Sequence, residues 1–364
     1  MNTYPIPMVP GPVKVAREVL NVYQINYGSA DLESEFLELY NQTEANLKKI
    51  MSTKHRVVIQ TGEGMLALWS ALKSCLVPGD RVLSIATGVF GEGIGDMAVS
   101  VGADVRKISL AYNETISDMD EIRTVIESFK PKMITAVHCE TPSGTLNPIA
   151  ELGRLKKDLD VPLLYVDGVS SIGGAPVLTD DWNIDLCLGG SQKCLSSLPD
   201  MAFLAVSDAA WEIIDRVGYV GYCALKPFRK AQTEHYFPYT PSWHGVAGLN
   251  AGAEAILKEG LSNSFSRHEE NAQYCRNRIK KIGLTLFPAA DAIPAPTVTA
   301  VNVPQGISWQ EFDEKLRRQG LVVAGSYGLL TNKVFRLGHM GTQADKDLVA
   351  QALGVIRKVL NQLK

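Results

Sequence analysis

Val161-Pro162-Leu163-Leu164-Tyr165-Val166-Asp167 and Ile184-Asp185-Leu186-Cys187-Leu188-Gly189-Gly190-Ser191-Gln192-Lys193 decide how this chain is read. Each contains an apolar run, Val161 to Val166 and Ile184 to Leu188, of the length expected for a strand buried on both faces. The first run ends in an aspartate. The second reaches a lysine through a predicted Gly189-Gly190 turn. As parallel strands of one α/β sheet, the two would bring both side chains to the crevice at the carboxyl ends, where such sheets bind ligands. A strand-end aspartate or a surface lysine alone is commonplace, so the other strand ends carry the argument.

Arg56-Val57-Val58-Ile59-Gln60 is a β-branched run followed by Thr61-Gly62-Glu63-Gly64-Met65. Met65, Leu68, Trp69 and Leu72 then keep helical spacing. A glycine turn that opens a helix offers free backbone N–H groups and the positive end of a helix dipole, which suits a phosphate. Arg81 to Ala86 leads into Thr87-Gly88-Val89-Phe90-Gly91 and sets an aromatic at the same crevice. Lys132 to Val137 ends in His138-Cys139-Glu140-Thr141-Pro142-Ser143-Gly144. A lysine amine, a buried carboxylate, a phosphate turn and an aromatic face together fit pyridoxal 5'-phosphate. Its aldehyde forms a Schiff base with a lysine, and a carboxylate keeps its pyridine nitrogen protonated so that the ring accepts electrons.

With these residues in place, the chain resembles the class V, fold-type I, pyridoxal-phosphate aminotransferases, in particular their alanine/serine–glyoxylate (or pyruvate) group. The resemblance runs from Val9-Pro10-Gly11-Pro12 to Phe335-Arg336-Leu337-Gly338, through Val166-Asp167-Gly168-Val169-Ser170-Ser171 and Ser191-Gln192-Lys193. It implies that Lys193 is the Schiff-base lysine and Asp167 the pyridinium partner. It implies that Phe90 stacks on the cofactor ring and that Thr141 bonds near its phenolic oxygen. Gly64 and Met65 amides with the Gln192 side chain would grip the phosphate, joined by Thr240 from a neighbouring subunit of a homodimer. Arg336 would fork onto the substrate carboxylate, with Gly11 and Glu63 also on the substrate side. Thr61-Gly62-Glu63, Thr141 to Thr145, Pro238 to Ser242 and Arg336 to Gly341 also resemble pyridoxamine–pyruvate aminotransferase, whose second substrate arginine is matched here by Tyr327.

The implied fold is a large domain with a mostly parallel central sheet flanked by helices, plus a small C-terminal α/β domain. The expected division is an extended segment over 1–15, a large domain over 16–255 and a small domain over 256–364. Net charge is −3, from 36 basic and 39 acidic residues, which gives no electrostatic case for nucleic acid or an anionic membrane. No apolar run approaches the ~20 residues of a membrane span. The stretch before Gly11 holds three prolines and lacks a signal-peptide pattern. Six cysteines show no metal-binding spacing, so a reduced, cytoplasmic setting is expected. Cys194, next to Lys193, reads as packing.

Along the chain, Asp31 to Met51 predicts a helix, with acidic residues at its start and Lys48 and Lys49 at its end. Trp211 to His244 is rich in aromatics and prolines and suits a segment in contact with a partner. Ser308 and Glu311 form a capping-box pattern, and Thr342 is expected to cap the last helix. His138 reads as a strand-end residue or a general acid, and His339 as an orienting neighbour of Arg336. Glu63 is expected to turn away from the phosphate because the charges are alike.

The function expected is transfer of an amino group from alanine or serine to glyoxylate or pyruvate, both small molecules. Pyridoxamine–pyruvate transfer is the alternative. A lyase such as cysteine desulfurase is the reading from another class. Gln192 and Phe90 stand where desulfurases resemble each other in having histidines.

Overall fold

The computed structural model describes residues 4–363. Residues 1–3 of the expected N-terminal segment and Lys364 of the expected small domain lie outside the described residues. A seven-stranded sheet runs in the order Arg56–Thr61, Met201–Val206, Leu186–Gly190, Leu163–Asp167, Met133–Val137, Arg81–Ala86, Asp104–Ser109. Met201–Val206 pairs antiparallel with both of its neighbours, and the other pairings are parallel. Four of these strands, Met133–Val137, Leu163–Asp167, Leu186–Gly190 and Met201–Val206, are buried at every position, and Arg81–Ala86 at all but its first, as expected of a sheet covered on both faces. The register sets Asp167 opposite both Val137 and Leu188, so two strand ends are level and the third strand runs two residues further, to Gly190.

A second apolar core gathers Ile6 and Met8 with Ile279, Phe312, Phe335 and Ile356. Its three-stranded antiparallel sheet has the order Val298–Asn302, Val334–Gly338, Ala324–Gly325. The N-terminal stretch ties this core to the first. Met8 N–H donates to Val322 O at 2.8 Å and Gly338 N–H to Met8 O at 2.7 Å, and Val13 N–H reaches Gln192 O at 3.1 Å. The chain therefore crosses from the smaller sheet to the turn that carries Lys193. Among the described residues no helix is long and apolar enough to cross a membrane.

Four local expectations are corrected. Gly189 and Gly190 belong to the strand and not to a turn. Glycine is required at 189 because a Cβ there would lie 2.2 Å from the Phe203 ring on the adjacent strand. The helix expected from Asp31 starts at Ser34, after an extended Glu33, and Leu32 is left 82% exposed. Thr342 does not cap the last helix: its hydroxyl donates to Lys14 O at 2.5 Å, and Asp345 Oδ1 accepts Leu348 N–H at 2.8 Å instead. Ser308 caps its helix through Glu311 N–H at 3.2 Å, while the Glu311 carboxylate lies 3.5 Å from Lys315.

Candidate active site

The loops after the strand ends enclose a cavity of about 290 Å³. Asp167 arrives from the strand Leu163–Asp167 and Lys193 from the turn after Leu186–Gly190, and both line it. Glu63, Gly64 and Met65 come from the turn and first residues of the helix Gly64–Cys75. Phe90, Thr141, Gln192 and Gly11 complete the sequence-derived residues that the fold brings to the cavity. Two others do not line it. Thr240 lies at the exposed surface, where its hydroxyl donates to Asp31 at 2.9 Å. Arg336 is buried behind the wall, with its Nε donating to Gly325 O at 3.0 Å.

Lys193 is held by the backbone of the N-terminal stretch. Its Nζ donates to Pro10 O at 2.6 Å. Gly11 follows with φ +98°, and a Cβ there would stand 2.6 Å from Nζ, so no larger residue fits. Burial lowers the Lys193 pKa from 10.5 to about 8, and the charge of Arg336 pushes the same way. Burial raises Asp167 to about 6, opposed by the Val169 N–H bond and by Lys193. That bond, 2.8 Å to Oδ1, fixes the carboxylate at the strand end. A lysine poised near neutrality thus faces a carboxylate with a tuned charge.

The turn before the helix Gly64–Cys75 overturns one expectation. Glu63 does not face away from the proposed phosphate donors. Its Oε1 accepts Met65 N–H at 3.1 Å and its Oε2 accepts Gln192 Nε2–H at 3.1 Å. An N-terminal helix turn attracts whatever anion can reach it, and a residue at the N-cap reaches it through its own backbone. Gly62, at φ +150°, makes the turn that allows this.

Sequence reasoning passed over Glu140. It is fully buried, with Oε1 accepting Gly91 N–H at 2.7 Å and Oε2 accepting Phe90 N–H at 3.3 Å. Burial raises its pKa to about 8. It anchors the start of the helix Val89–Ser100 and so sets where Phe90 stands. A carboxylate one residue before Thr141 in a buried strand end was the available signal. Ser170 was also missed: its hydroxyl lies 2.5 Å from that of Thr141. His138 bonds Ser171 at 2.9 Å and His339 bonds Thr299 at 2.7 Å. Burial lowers them to about 4 and about 3, so both are neutral structural residues near pH 7.

Residues 11–336 match the class-V aminotransferase family. An uncharacterized aminotransferase of Methanocaldococcus jannaschii is 34% identical over 363 residues, covering 98% of this chain and 92% of that protein. The crystal structure of pyridoxamine–pyruvate aminotransferase from Mesorhizobium loti superposes with a TM-score of 0.95 at 30% identity, covering 99% of this chain and 93% of that one. That of alanine–glyoxylate aminotransferase from Nostoc sp. gives 0.93 at 30% identity, covering 99% and 96%. Matched over nearly its whole length in sequence and in fold, the chain belongs to the class-V aminotransferases and is an enzyme of the transaminase class.

Proposed function

We propose that this aminotransferase holds pyridoxal 5'-phosphate at Lys193 and moves an amino group from alanine or serine to glyoxylate or pyruvate. The observation that carries the reading is the meeting of half-buried Lys193 and buried Asp167 in one cavity that also receives a helix N-terminus. The residues present fit the cofactor. The cavity holds the Lys193 amine, the Asp167 and Glu63 carboxylates, the half-buried Phe90 ring and the start of the helix Gly64–Cys75 with its backbone N–H groups. Bound pyridoxal phosphate would supply an aldehyde carbon to the Lys193 amine and a ring that takes up electrons from the substrate α-carbon.

The chain's own groups divide the remaining work. Asp167 would accept the pyridine N–H, and Thr141 and Ser170 would set hydroxyls beside the ring. Gly64 and Met65 amides and Gln192 would hold the phosphate, and Phe90 would cover one ring face. Lys193 Nζ, with its pKa near 8, would carry the α-proton once its nitrogen is free. Pro10 O, already its acceptor, keeps that amine in the cavity. Arg336 would bind the substrate carboxylate with Gly11 beside it. Among the described residues no arginine lines the cavity to bind a second, distal carboxylate, which favours a small donor. The relative from Nostoc sp. is named for alanine and glyoxylate.

Glu63 favours a second reading. Its carboxylate takes up the Met65 and Gln192 donors that a phosphate would use, which suits a vitamin lacking the phosphate and hence pyridoxamine–pyruvate transfer. We further propose a homodimer in which Thr240 reaches the partner's cofactor site. Leu32 and Tyr236, 82% and 68% exposed, lie near the Asp31–Thr240 contact and would be covered there. Domains over 16–255 and 256–364 and a cytoplasmic setting complete the proposal; all six cysteines are free thiols. The test is a half-reaction screen of the dialysed protein. A yellow protein bleached by alanine or serine supports the main reading. A colourless one that makes alanine from pyruvate and free pyridoxamine supports the second. Faster bleaching by glutamate or aspartate refutes both.

A further inference from the structure

Arg336 is 2% exposed although its role requires it to meet a substrate. Two covers account for this. Its Nε and Nη2, the two donors along one edge of the guanidinium, both point at a single acceptor, Gly325 O, at 3.0 and 2.5 Å. Its flat face lies against the ring of Tyr327, 4.7 Å from the guanidinium carbon to the ring centroid. Tyr327 itself is 53% exposed and opens the single helical turn Gly328–Leu330, in which Leu329 is 71% exposed. Both covers therefore come from one three-residue stretch, Gly325 to Tyr327. That stretch is tied to the cavity wall by Ser326, whose hydroxyl donates to Pro142 O at 2.9 Å, next to Thr141.

We propose that Tyr327 is a positioning residue that veils Arg336, and that a substrate carboxylate displaces the Gly325 carbonyl from the Arg336 fork. The inference rests on the reading of Arg336 as the carboxylate-binding arginine. One carbonyl oxygen cannot align with two parallel N–H bonds, whereas two carboxylate oxygens can, so the exchange improves both bonds and adds charge. A neutral ring over the guanidinium face keeps water away while the fork is unpaired with an anion. Tyr327 itself brings no second cation to pair with a dicarboxylate. The site is thereby matched to small monocarboxylates.

The test is arginine-selective labelling of the full-length protein with phenylglyoxal, read at the Arg336 peptide by mass spectrometry. Tyr327→Ala is expected to label about 10-fold faster than the wild type, for loss of a desolvated cation–π contact. Tyr327→Phe keeps the ring and is expected to label at the wild-type rate. Pyruvate is expected to slow labelling of Tyr327→Ala. Tyr327 is half exposed, so neither variant disturbs the core. Equal rates in Tyr327→Ala and the wild type, or a fast rate in Tyr327→Phe, overturn the veil. Fast labelling of Tyr327→Ala that pyruvate does not slow overturns the carboxylate role of Arg336 instead. Neither result depends on turnover.

Discussion

At the scale of single residues, the chemistry turns on two groups whose burial moves them in opposite directions. Lys193 is lowered from 10.5 to about 8, so its neutral, nucleophilic form is present at lower pH than in a free lysine. Condensation of pyridoxal phosphate with cofactor-free protein is expected to speed up as pH rises through about 8, and stopped-flow absorbance reads it. A midpoint near 10.5 would mean that Lys193 is solvated. Borohydride reduction should leave the label on the Lys193 peptide, and Lys193→Ala should lack the visible band. Asp167→Asn is expected to keep the band and lose most turnover, because a neutral amide no longer holds the pyridine nitrogen protonated; full turnover would remove its assigned role. Glu63→Gln takes a charge away from the Met65 and Gln192 donors. It is expected to tighten pyridoxal phosphate by ~1 kcal/mol or more, measured by equilibrium dialysis. Unchanged affinity would mean that Glu63 moves aside without cost.

At the scale of elements, strand ends and helix starts do the positioning. The helix Gly64–Cys75 begins in the cavity, and the helix Val89–Ser100 is pinned by Glu140 from a neighbouring strand end. Glu140 has a folded pKa of about 8, above its ordinary 4.5. A carboxyl raised in the folded state contributes stability that is fully present below its unfolded pKa and is lost as pH rises through the folded value. The stability advantage of the wild type over Glu140→Gln should therefore shrink between pH 5 and pH 8, as urea midpoints would record. A gap that stays level between pH 5 and pH 8 would show that Glu140 is already ionised and held by its two amides. The two closing amides also explain why Phe90 needs no partner side chain to be placed: its backbone is fixed first.

At the scale of the whole molecule, the N-terminal stretch joins the two cores and supplies Pro10 O to Lys193, so the smaller core and the amine are mechanically linked. Six exposed apolar side chains, Leu20, Ile25, Leu32, Val220, Tyr222 and Tyr236, fall in two stretches of the chain, and Leu32 and Tyr236 lie near the Asp31–Thr240 contact. They are the side chains that the proposed homodimer would cover. Sedimentation at micromolar concentration is expected to give a dimer, and Leu32→Arg with Tyr236→Arg to give a monomer that retains cofactor poorly. A wild-type monomer loaded with cofactor and active would refute the shared site.

What sequence alone determined was the fold class and most of the cavity. Short apolar runs such as Val161–Val166 read as strands buried on both faces, and sheets of such strands bind ligands at their carboxyl ends. Asp167, Lys193, Phe90 and Thr141 were legible for that reason. Side-chain partners across the fold were not, because they depend on distances between segments far apart in the chain. Glu63 was expected to avoid the phosphate donors on charge alone, yet the N-cap geometry brings it onto Met65 and Gln192. Gly189 looked like a turn residue until the Phe203 ring on the next strand showed why no Cβ fits. Glu140 binding two amides and Pro10 O binding Lys193 are contacts of backbone groups, which carry no signature in residue type. Arg336 is expected as a carboxylate ligand from the family resemblance, but its covering by Gly325 and Tyr327 depends on how that stretch packs against its own strand.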